Sequence, residues 1–219
     1  MCTAEAVTRE HVPPLCIFPE PKDLPPGMDY RKNLIKVPSC KEHNLRKSGD
    51  DEYLLYLLVT NWDVNNPGLR QWKTKVKRSL IYQPSKRGIF KNLTPVSIGG
   101  INTGFYNVDI DRINSEIEKV SLGIYFYHFQ KQWFHPVEVV NPVAKLIDTP
   151  EAAYNNRIIQ ETSNLIMSYL EAEPIHGENP EIFRYQYKID EEIQTYILKM
   201  VFYGGINIST ISKPPESEP

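Results

Sequence analysis

Apolar positions recur at helical spacing in two stretches of the chain and alternate in a third. After Asp109, Ile110, Ile113, Ile117, Val120 and Ile124 mark one face of a predicted helix, and Pro150 opens a second that runs to about Leu170. Asp50-Asp51-Glu52 ahead of the apolar run Tyr53 to Val59 predicts a third, with acids in its first turn and Ser48 as N-cap. Phe183, Tyr185, Tyr187 and Ile189 alternate as a strand should. Ile193 to Tyr203 is a longer β-branched and aromatic run that stops at Gly204-Gly205. A strand pair beside two core helices predicts an α+β fold.

The pattern divides the chain into residues 1–60, 61–108, 109–212 and 213–219. The first stretch is rich in Pro, Cys and His, and its closing helix is expected to pack it onto the rest. The second opens at the Asn65-Asn66-Pro67-Gly68 turn and reads as a connector with short strands. The third is the α+β part with a small antiparallel sheet. The polar, Pro-rich tail Lys213 to Pro219 reads as disordered. Tyr125, Phe126, Tyr127, Phe129 and Trp133 read as core aromatics, with His128 and His135 among them.

Composition narrows the class. The 18 prolines among 219 residues favour fixed loops, and 3 cysteines without an export signal argue against a disulfide framework. Metal binding and plain burial stay open for Cys2 and Cys40, and burial is expected for Cys16. No apolar run reaches membrane-spanning length, so the expectation is a cytoplasmic protein without a membrane partner. A net charge of -2 makes no global case for nucleic-acid binding, yet the charge is uneven. No acid falls between Val64 and Val108, while Arg70, Lys73, Lys75, Lys77, Arg78, Lys86, Arg87 and Lys91 do. That interval is either a solvated face or a face for a polyanion.

The candidate chemistry lies near the N-terminus. Glu10 and His11 are adjacent at the end of a short extended run, where one can bind metal while the other handles a proton. Asn33 opens a second extended run. It leads to Cys40, His43 and Asn44, and a C-x-x-H pair can face one ion.

Four segments in order, Thr8 to Pro14, Cys16-Ile17-Phe18-Pro19, Asn33 to Cys40 and Ser48 to Tyr53, resemble a bacterial subgroup of the HNH (ββα-metal, His-Me finger) endonucleases. The stretch Val120 to His128 is similar to the C-terminal portion of such proteins. The resemblance implies an N-terminal ββα-metal module and hydrolysis of DNA phosphodiesters with Mg²⁺ or another divalent cation. By matching position, His11 is implied as general base, Glu10 and Asn44 as metal ligands, and Asn33 as the residue that holds the loop or orients the imidazole. Arg9, Arg46 and Lys47 are implied as phosphate contacts. Many relatives hold a structural Zn²⁺ on two C-x-x-C pairs. In this chain Cys40 and His43 stand at the second pair, and Cys2 alone stands at the first. That incomplete set supports an alternative: a degenerate zinc-ribbon module that binds nucleic acid or a protein partner without cutting.

Overall fold

Alternating side chains build the largest sheet. Phe183, Tyr185, Tyr187 and Ile189 lie opposite Phe202, Met200, Leu198 and Tyr196 in an antiparallel register, so one face of the strand pair is aromatic and aliphatic throughout. The computed structural model describes residues 6–40, 48–90, 92–98, 100–145 and 149–212. In chain order the elements used below are β1 (Thr8–His11), β2 (Lys36–Ser39), α1 (Ser48–Val59), α2 (Asn66–Gln71), α3 (Lys77–Tyr82), β3 (Thr94–Ile98), β4 (Ile101–Phe105), α4 (Ile110–Phe129), β5 (Val137–Val140), α5 (Ala152–Tyr169), β6 (His176–Asn179), β7 (Phe183–Asp190), β8 (Thr195–Phe202) and β9 (Ile206–Ser212).

The sheet has five antiparallel strands in the order β5-β9-β8-β7-β6. Helix α4 covers its apolar face. Ser121 of α4 bonds the Thr210 hydroxyl at 2.8 Å, Tyr196 donates to the Ser121 carbonyl at 3.4 Å, and His128 meets the Tyr185 hydroxyl at 2.8 Å. The opposite face carries Gln186, Lys188 and Lys199. Gln186 donates to the Leu170 and Glu173 carbonyls, both at 2.8 Å, where α5 ends, and α5 packs on β5, β8 and β9. Mixed helix and antiparallel sheet make the protein α+β. The strand pair expected from the pattern is the centre of this sheet; β5, β6 and β9 are too short or too polar to have declared themselves.

Both expected core helices are present, and Asp109 caps α4 by accepting from the Arg112 amide at 3.1 Å. Helix α1 is also where the pattern puts it. Every residue from Tyr53 to Val59 is buried, as befits a helix that is apolar on all sides. Between α1 and α4, the basic stretch is helical first and stranded afterwards. A π-turn at Trp72–Val76 joins α2 to α3, and the short strands β3 and β4 pair only beyond it. No helix among the described residues is long and apolar enough to cross a membrane. The tail from residue 213 lies outside the described residues.

One hydrophobic cluster draws on all of these stretches, from Val12, Ile17 and Phe18 through α1 and α4 to the inner face of β7, β8 and β9. Its least regular member is the turn Leu15–Ile17 with Phe18, buried backbone that no strand satisfies. Side chains from elsewhere supply the donors. Gln71 gives its amide to the Cys16 and Ile17 carbonyls at 3.1 and 3.0 Å, the Tyr203 hydroxyl reaches Ile17 at 2.5 Å, Lys75 reaches Cys16 at 3.2 Å, and Arg31 grips the Phe18 carbonyl at 3.2 and 3.0 Å. Gln71 is fully buried. Replacing it in Gln71→Leu keeps the bulk but removes two bonds to buried carbonyls, so the expected loss of stability is about 1–3 kcal/mol, read as a lowered urea midpoint.

Candidate active site

The strand β1 is short and ends where the chain must turn. It pairs antiparallel with β2 in the register Thr8 to Ser39, Arg9 to Pro38, Glu10 to Val37 and His11 to Lys36. The Val12 amide adds a bond to the Ile35 carbonyl at 3.0 Å, and a cis Val12–Pro13 bond follows. Alternation sends Glu10 and His11 to opposite sides of the hairpin, but His11 is the last residue of the strand. Both are half-buried, and Arg9 is exposed.

Electrostatics at His11 favour the neutral ring. Burial lowers its pKa below the ordinary 6.5, the cations Lys36 and Arg31 lower it further, and the Glu10 carboxylate pulls it back up. Lys36 follows from the register. Arg31 is fixed by the Phe18 carbonyl, and its backbone amide is held by the Asp29 carboxylate at 2.8 Å. An imidazole that stays unprotonated at neutral pH beside a carboxylate and two cations can accept a proton from a nucleophile drawn to a negatively charged group.

Asn33 sits at the turn into β2 with a left-handed φ of 53°, a conformation asparagine tolerates better than most residues. Its side chain is exposed and lines a cavity shared with α4, β6 and β7. Among the described residues it makes no hydrogen bond to His11. Cys40 is buried directly after β2. The structure therefore places Arg9, Glu10 and His11 on one strand and Cys40 just beyond its partner. Cys2, His43, Asn44, Arg46 and Lys47 lie outside the described residues. Among the described residues no three His, Cys, Asp or Glu side chains gather as ligands for a metal ion.

The segment Asp50 to Tyr53 serves the fold. Asp50 pairs with Arg112 at 2.5 Å, Arg112 lies over the Tyr53 ring at 4.4 Å, and the Tyr53 hydroxyl accepts from the Asp109 amide at 2.7 Å. Glu52 accepts from Tyr56 and Ser79, each at 3.0 Å, and is paired with Lys86. These partners hold its carboxyl below the ordinary range against the opposing effect of burial, which is the largest single influence on it. Cys16 is deep in the same region, its thiol pushed up to about 12 chiefly by burial, so it is inert at neutral pH.

The basic interval divides in two. Arg78 binds Asp23 with two bonds of 2.9 Å, Lys75 lies 3.5 Å from Glu20, and Lys86 meets Glu52, so these three tie α3 and its surroundings to the loop between β1 and β2 and to α1. Arg70, Lys73, Lys77 and Arg87 remain exposed. Sequence reasoning missed Lys36 and Arg31 as neighbours of His11. Lys36 stands in the Asn33 to Cys40 segment, but only the hairpin register makes it face His11.

Comparison with known families, curated proteins and solved structures finds no match to this chain.

The charge arrangement can be checked directly. Lys36→Ala removes a cation that disfavours the imidazolium, so the His11 pKa is expected to rise toward 6.5 in a ring-proton titration by nuclear magnetic resonance. Because the folded value lies below the unfolded one, the unfolded chain binds more protons between the two, and His11 makes folding stability increase with pH across that interval. The increase should be smaller in Lys36→Ala.

Proposed function

We propose that this protein is a metal-dependent endonuclease of the HNH type that hydrolyses DNA phosphodiester bonds, with His11 as general base and a cytoplasmic place of work. The observation that carries the proposal is the end of β1, where the Glu10 carboxylate adjoins a His11 imidazole kept neutral by burial, Lys36 and Arg31. Two antiparallel strands followed along the chain by a helix, in the order β1, β2, α1, are also what a ββα-metal module requires.

In this reading His11 takes the proton of the attacking water, and its lowered pKa leaves the ring free to do so near neutral pH. Arg9, Arg31 and Lys36 draw the phosphodiester to the hairpin, with Arg46 and Lys47 as further phosphate contacts. Glu10 offers the hard oxygen donor that a small divalent cation prefers, and Asn44 is its proposed companion. When bound, Mg²⁺ or a similar ion offsets the charge that develops on the phosphate and leaving oxygen. Asn33 holds the turn that leads into β2. Zinc on Cys2, Cys40 and His43 belongs to the same proposal as a structural brace.

Purified protein is expected to cut plasmid DNA with Mg²⁺ or Mn²⁺ and to lose cutting when the metal is chelated. His11→Ala should lower the rate roughly 10²–10⁴-fold, the range for removal of a general base, while leaving the folded state intact by circular dichroism. Equal cleavage by the two forms rejects the role of His11. Salt-sensitive DNA binding without cleavage at any metal concentration supports the non-cutting alternative instead.

A further inference from the structure

A cavity of about 250 Å³ opens where the turn Asn33–Ile35 meets the end of α4 and the β6–β7 pair. Its position is built in. Val12, the residue after His11, forms part of the wall, and Gly123 of α4 comes so close to Val12 that a Cβ there would stand 2.7 Å from a Val12 methyl. Asn179 donates to the Lys32 carbonyl at 3.2 Å and the Tyr30 hydroxyl donates to Glu181 at 2.6 Å, so the hairpin loop and the β6–β7 turn are held together beside the opening. The β6 wall bulges. His176 pairs with Tyr185 and Asn179 with Phe183, a shifted register that leaves Gly177 at φ 121° against the Phe183 carbonyl, where a Cβ would come within 2.6 Å.

The lining has a distinct chemistry. His176 stacks on Tyr185 and on Tyr187, each at 5.3 Å and within 25° of parallel, and His128 lies 5.1 Å from His176 with its Nε2 fixed by the Tyr185 hydroxyl at 2.8 Å. Burial and the neighbouring His176 lower the His128 pKa, which keeps that ring uncharged. Phe18, Leu34 and Ile35 complete an apolar wall, while Asn33, Asn179 and Glu178 bring polar groups. Among the described residues no lysine or arginine lines the cavity, and Glu178 does. This lining disfavours a phosphate or other anion as the natural occupant. The volume lies below the ~300–1,000 Å³ of sites for drug-sized ligands, which suits one heterocycle and its sugar.

We propose that this cavity receives a single unstacked nucleobase of the DNA substrate, next to the phosphate that the end of β1 engages. The aromatic rings take the face of the base, and the amides of Asn33 and Asn179 meet its edge. The proposal rests on the nuclease reading for the identity of the substrate, but the affinity of the cavity for a base is measurable without cleavage.

The test titrates the full-length protein with adenosine, guanosine, cytidine and thymidine at millimolar concentration, following the histidine ring protons assigned by single His→Ala variants. The expected result is that one or more nucleosides shift His128 and His176 and leave His135 unmoved, while deoxyribose and inorganic phosphate shift neither. His176→Ala should weaken nucleoside binding about tenfold, the effect of one lost stacking face, and raise KM for plasmid by a similar factor with kcat retained. Unmoved His128 and His176 signals with every nucleoside overturn the proposal even if plasmid is cut, as do equal shifts with inorganic phosphate. Nucleoside-dependent shifts in a protein that cuts no plasmid support the cavity and remove the reading of Glu10 and His11. The wild-type titration stands whether or not His176→Ala folds.

Discussion

Three consecutive carbonyls, those of Cys16, Ile17 and Phe18, set the geometry on which the rest of the molecule depends. They belong to irregular backbone in the hydrophobic core, where an unmet acceptor costs about as much as a lost hydrogen bond. Gln71, Lys75, Tyr203 and Arg31 meet them, and these come from α2, the π-turn, the turn after β8 and the loop before β2. One turn is therefore the junction of four segments. The loop between β1 and β2 is long and mostly without regular structure, yet its first turn is anchored at this junction, a few residues after β1 ends.

Charge follows from the same arrangement. Lys75, Arg78 and Lys86 of the basic interval are spent on Glu20, Asp23 and Glu52, so part of a stretch with eight cations and no acids is matched by acids from elsewhere in the chain. The acids it neutralises lie on the N-terminal loop and on α1. The cations that act on His11 come from elsewhere, from Arg31 and Lys36. Arg31 serves both ends of this logic: its guanidinium grips the Phe18 carbonyl and its charge depresses the His11 pKa. The buried turn and the electrostatics of the strand end are therefore coupled through one side chain.

The periodic elements were legible because periodicity reports burial. Helices α1, α4 and α5 and strands β7 and β8 carry long apolar patterns and stand where the pattern puts them. The helical start of the basic interval was not legible, since its apolar positions are interrupted by lysines whose stems are themselves partly buried and whose charges find acids distant in sequence. The candidate site at β1 was legible as residue types, Glu10 beside His11. Its electrostatics were not, since Lys36 faces His11 only through a hairpin register that no local pattern specifies. His128 was read with the core aromatics. Tyr125, Phe129 and Trp133 do pack together there, but Tyr127 and His128, on another side of the same turn of helix, reach the cavity wall, and β6, which brings His176, is too short and polar to read as a strand.

In the proposed nuclease the hairpin and the cavity would divide the substrate's chemistry between them. The end of β1 is flanked by cations, with Arg31 and Lys36 acting on the His11 imidazole beside the Glu10 carboxylate, whereas the cavity beginning at Val12 has aromatic and imidazole rings, two amides and a carboxylate. A nucleotide carries the complementary division, an anionic backbone joined to a neutral planar base. If a nucleotide binds as proposed, a cationic surface and an apolar cleft side by side along one short stretch of chain would orient it as well as attract it, because reversing it would set phosphate against Glu178 and a base against lysine. Gly123 and Gly177 maintain the spacing. The first lets α4 press against Val12, the second lets β6 bulge over Phe183, and a side chain at either position meets an atom already there.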